Sequence, residues 1–88
     1  MIKKEVPVMS EARLKELLEI GKYPESLMIT EYLLIASPSD ERYLLMLGRL
    51  YELIEQTADV KTVYEQVVDA IPGAYNTSLM LGRYYHRK

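Results

Sequence analysis

The chain has 88 residues, 49% of them hydrophobic and 27% charged, the balance of a single folded domain rather than of a disordered segment. Eleven basic against thirteen acidic residues give a net charge of −2, so the overall field offers a nucleic-acid backbone no attraction. The absence of cysteine removes disulfides, thiolate nucleophiles and thiolate metal sites together and makes the cytoplasm the default expectation.

At the N-terminus Lys3 and Lys4 lead into Glu5, Val6 and Pro7 rather than into an uninterrupted apolar run, so no signal peptide is expected. The longest apolar stretches, residues 32–36 and 43–47, are far shorter than the roughly 20 residues of a membrane span. A first helix is predicted near 10–20, where Leu14, Leu17 and Leu18 form a stripe ending at Gly21. A second, near 24–36, has Pro24 in its first turn and carries Leu27, Met28, Tyr32, Leu34 and Ile35. Pro38 stops it. Ser39 is placed to cap a third helix near 40–55, with Asp40 and Glu41 favourable at its positive end.

On that third helix Leu44, Leu47, Gly48 and Tyr51 recur at i, i+3, i+4 and i+7. After the polar break at residues 56–59, with Thr57 the expected N-cap, Val60, Val63, Tyr64 and Val67 repeat the pattern on a fourth helix near 58–71. Ile71, Pro72 and Gly73 end it, Gly73 being the expected C′ residue. A fifth helix follows near 75–86.

The chain also repeats itself. Residues 45–51, LMLGRLY, return as residues 79–85, LMLGRYY, 34 residues on, and Pro38 and Pro72 are separated by the same 34. One helical hairpin per period follows. A helix-interior glycine costs roughly 1 kcal/mol relative to alanine, so Gly48 and Gly82, at the same phase, are expected where a neighbouring helix packs closely.

In spacing and composition the chain resembles the tetratricopeptide repeat (TPR) family. The middle unit, 41–74, carries Leu44, Leu47, Gly48, Tyr51, Tyr64 and Pro72 on the family's pattern, with Val60 and Val67 in its small-residue places. The first unit, 7–40, keeps Gly21, Tyr23, Ser26 and Pro38 but has Arg13 and Leu14 for Leu-Gly and Thr30 for the aromatic; the last, 75–88, shows Leu81, Gly82 and Tyr85 and is partial. The resemblance implies one all-α domain over 1–88, with antiparallel helix hairpins stacked as a short right-handed α-solenoid of about five helices.

Little points to chemistry. His86 stands alone among possible nucleophile or metal partners, the four glycines form no phosphate loop, and the carboxylates read as a solvated face, so neither catalysis nor a cofactor nor a metal is expected. The family resemblance implies a concave groove lined by first helices, which places Glu11, Lys15, Leu18, Arg42, Leu45, Arg49, Leu53, Asn76, Leu79 and Arg83 on it, with Arg87 a further candidate. Such a groove would take a helical or extended segment of a protein or peptide partner, as in an adaptor or small chaperone, the arginines meeting acidic groups. The five-residue signature with which some TPRs clamp a carboxyl terminus is missing, its places being held by Glu11, Lys15, Met46, Asn76 and Met80. Leu45 and Leu79 as core, with Arg49 and Arg83 in surface ion pairs, is the plainer reading of the same residues. The alternative function is self-association, as a homodimer or a subunit of a larger assembly, through Leu81, Tyr84 and Tyr85, which no following helix covers.

Overall fold

The computed structural model describes residues 10–57 and 59–87 and forms five helices there: α1 (Glu11–Glu19), α2 (Tyr23–Ala36), α3 (Glu41–Thr57), α4 (Val60–Ala70) and α5 (Tyr75–Arg87). The described chain is all-α, each helix end lies within two residues of its predicted place, and no described helix is long and apolar enough to cross a membrane. Expectations resting on residues 7–9, on Lys88 and on the side chains of Thr57 and Arg87 fall outside the described residues.

Local chemistry sets the ends. Ser10 caps α1, its side chain accepting the Arg13 N–H at 3.2 Å. At the other end Gly21, at φ 78°, lets the Lys22 N–H reach the Leu17 carbonyl at 2.9 Å and its own N–H reach that of Leu18 at 3.2 Å. Asp40, not Ser39, caps α3: it immediately precedes Glu41, and its carboxylate accepts the Arg42 N–H at 3.0 Å, a charge where the helix end favours one. Thr57 is not the cap of α4 either. With Ile54 fully buried, α3 runs on through Thr57, and Asp59 takes the N-cap position, accepting the Thr62 hydroxyl at 2.7 Å.

The glycines correct the expectation further. Gly73 has no positive φ; its role is spatial, since a Cβ there would stand 2.7 Å from Ile35 Cδ1. Gly48 and Gly82 have none of the described residues within 4 Å of where a Cβ would sit, so none of the five helices makes the close approach their position suggests. The reason is rotation: α3 buries Tyr43, Leu47, Leu50 and Ile54, which point it towards α2 and leave Gly48 on the open side.

Helix α2 is the hub, packing against each of the other four helices. Accordingly it buries Leu27, Ile29 and Leu34 together with Ser26, Thr30 and Glu31. Both buried hydroxyls are satisfied within the helix, Ser26 donating to the Lys22 carbonyl at 2.9 Å and Thr30 to that of Ser26 at 2.8 Å. Helix α3 lies along α2, whereas α4 packs on α2 and α5 and meets α3 only briefly. Leu27, Leu34, Leu47, Leu50, Ile54, Val63, Tyr64 and Val67 form the main core, and Leu14, Leu17 and Ile29 a smaller one joined to it by Leu18 and Leu33. Each such side chain contributes about 1.5–3 kcal/mol by leaving water.

The two kinds of glycine separate in denaturation experiments. Gly21→Ala is expected to lower stability by about 1 kcal/mol, because alanine resists the left-handed backbone. Gly82→Ala is expected to raise it by up to about 1 kcal/mol, being helical and open to solvent.

Candidate functional site

Helix α5 begins after Ala74, which has no side chain to accept a first-turn N–H. The acceptor comes instead from the middle of α2. Glu31, only 1% exposed, takes the Thr77 N–H on Oε2 at 2.6 Å, and the Thr77 hydroxyl bonds the same oxygen. The Tyr51 hydroxyl of α3 reaches Oε2 at 3.3 Å and Thr77 Oγ1 at 3.0 Å, while the Asn76 amide reaches Oε1 at 3.3 Å. One carboxylate thus ties three helices together, and its charge suits the positive end of α5. Burial, chiefly, raises the Tyr51 pKa, and the Glu31 charge adds to it against the Thr77 hydrogen bond.

Beside this junction α3 and α5 stand apart and a groove runs between them. One end is a cleft of about 520 Å³ lined by Glu31, Leu34, Ile35, Pro38, Leu44, Gly73, Tyr75 and Asn76. The other, about 290 Å³, is lined by Leu44, Leu47, Gly48, Tyr51, Asn76, Leu79, Met80 and Arg83. Leu44 and Asn76 belong to both, so the two ends are continuous. Four large apolar side chains that water would otherwise disfavour, Ile35, Leu44, Tyr75 and Leu79, are exposed on its walls.

The structure divides the residues expected to bind a partner. Asn76, Leu79 and Arg83 of α5 line the groove. Leu45 and Arg49 of α3 do not, for each follows a lining residue and so sits about 100° further round the helix; Leu53 lies on that outer side as well. Leu45 is 76% exposed there, which removes it from the core. Arg42 is engaged with Asp40 at 3.0 Å, lies 3.8 Å from Glu11 and covers the Tyr43 ring at 5.2 Å. Lys15, exposed, and Leu18, half-buried between the two core clusters, belong to α1, which packs on α2. On the face considered for self-association, Leu81 packs against the core, Tyr84 meets the Tyr85 ring, and the Tyr85 hydroxyl bonds Glu65 of α4.

Glu31 itself escapes a reading that treats helix carboxylates as solvated. Two signals mark it: it is the lone charge in the apolar stretch from Leu27 to Ile35, and α5 lacks a capping residue of its own. No family model, no curated protein and no solved structure matches the chain.

Removing the carboxylate leaves the buried Thr77 N–H without its acceptor and the Thr77 hydroxyl, among the described residues, with Tyr51 alone. Glu31→Ala is expected to cost about 2 kcal/mol or more in urea denaturation, and Glu31→Gln, which keeps an acceptor, distinctly less. Tyr64 behaves in the opposite way. Its buried hydroxyl has no partner among the described residues, and burial, with Glu55 adding to it, pushes its pKa up to about 12. Since ionisation is harder in the folded state, its contribution is intact below about pH 10, the unfolded value, and is lost as pH rises towards 12. Tyr64→Phe is expected to preserve or raise stability by up to about 1 kcal/mol at neutral pH and to flatten the alkaline decline, read as the urea midpoint against pH.

Proposed function

We propose that the chain is a protein-interaction module, an adaptor or small chaperone, that seats an apolar helical or extended segment of a partner polypeptide between α3 and α5. Its helix pairs follow one another as a short right-handed solenoid in the manner of the TPR family, the arrangement that the 34-residue period supports. The observation that carries the proposal is Gly48: a residue that costs helix stability lines an apolar groove, and none of the described residues occupies the space over it. A partner backbone lying there gives the glycine its use.

On this reading Leu44, Gly48, Asn76, Leu79 and Arg83 hold the partner, with Arg83 the cation at one end. Lys15, Leu18, Arg42, Leu45, Arg49 and Leu53 stand outside the groove, so they carry less of the energy.

Selection of peptides from a displayed random library tests this. Enriched peptides are expected to carry apolar residues on one side and to lose affinity by about tenfold or more against Leu44→Glu or Leu79→Glu, both exposed enough to change without unfolding the chain. Peptides indifferent to those changes but lost on Leu45→Glu or Arg49→Glu would move the site to the outer face of α3. Gly48→Ala is expected to stabilise the chain by up to about 1 kcal/mol while weakening the same peptides, a divergence measured by denaturation and titration together.

A further inference from the structure

We propose that the Glu31 end of the groove receives a lysine or arginine side chain of the partner, its apolar stem against Ile35, Leu44 and Tyr75 and its charge on the Glu31 carboxylate. The inference rests on the groove being a polypeptide site and adds the chemistry of the residue it reads.

Charge is unevenly balanced in this confined place. Glu31 is buried, and its bonded partners are an amide N–H, two hydroxyls and a carboxamide, with no cation among the described residues. The α5 terminus supplies about half a positive charge, which leaves about half a negative one uncompensated in a low-dielectric setting. The two oxygens are unequally served. Among the described residues Oε2 takes three donors, whereas Oε1 takes only the Asn76 side-chain amide at 3.3 Å, a long bond that a charged donor readily replaces.

Both Glu31 and Asn76 line the 520 Å³ cleft, whose other walls are mainly apolar, and among the described residues no Lys or Arg lines that end. An apolar corridor ending on a carboxylate fits a long methylene chain tipped with a cation, the construction of lysine and arginine.

Isotope-edited NMR titration with n-butylammonium, the lysine side chain without its backbone, and with neutral 1-butanol tests the idea. Butylammonium is expected to shift the Asn76 and Thr77 amides and to bind about tenfold or more tightly than the alcohol, a preference that Glu31→Gln removes. Leu44→Trp, which narrows the cleft without touching the Glu31 bonds, is expected to block both compounds and serves where Glu31→Gln disturbs folding. A blocked peptide with one lysine among leucines is expected to bind about tenfold or more tightly than butylammonium. Equal binding of amine and alcohol, a preference that survives Glu31→Gln, or binding unchanged in Leu44→Trp overturns the proposal. A peptide no tighter than the free amine overturns the polypeptide as its source. Such failures leave the groove itself to the peptide selection, which needs no basic residue to succeed.

Discussion

The arrangement depends on one carboxylate placed where the helix it serves has nothing of its own. Helix α5 follows Ala74, whose side chain offers the first turn no acceptor, and Glu31, 46 residues earlier than Thr77, supplies the one that takes the Thr77 N–H. The cost of burying a charged group is offset by a backbone N–H, two hydroxyls and the end of a helix, a combination that works only while α2, α3 and α5 keep their places. Apolar packing holds α3 to α2 and α4 to both α2 and α5, but it does not by itself fix the position of α5 relative to α3, which do not pack on each other. The Tyr51, Thr77 and Glu31 bonds do that, and so they set the width of the groove.

This division explains why the interior is apolar on one side of α3 and open on the other. Leu47, Leu50 and Ile54 face α2, while Leu44 and Gly48 face a space that α5 borders without filling. A helix glycine with no neighbour among the described residues is a stability cost without structural return there, and exposed Leu44, Leu79, Tyr75 and Ile35 gather around the same space. On the proposed function a second polypeptide completes the packing and accounts for both features.

Much of the fold was legible because it is written locally. Periodic leucines and valines mark each helix, Pro38 and Pro72 punctuate them, and Gly21 ends α1 as its position suggests. What was not legible depends on residues far apart in the chain. Glu31 looks like any helical glutamate until Thr77 is placed beside it, and Gly48 and Gly82 look alike although one borders a groove and the other faces solvent. Caps shifted by one or two residues, from Ser39 to Asp40 and from Thr57 to Asp59, because the ends of α3 answer to burial and charge as well as to propensity. For the same reason only Asn76, Leu79 and Arg83 of the residues expected along a groove border the cleft between α3 and α5, and on α3 a step of about 100° puts Leu44 and Gly48 there in place of Leu45 and Arg49.

The account turns on the bond between α2 and the start of α5, and amide hydrogen exchange reads it directly. First-turn amides of a helix ordinarily exchange freely. The Thr77 amide is predicted to be protected well beyond that of Asn76 and to lose the difference in Glu31→Ala. A Thr77 amide that exchanges as fast as Asn76 in the unaltered chain would contradict the account.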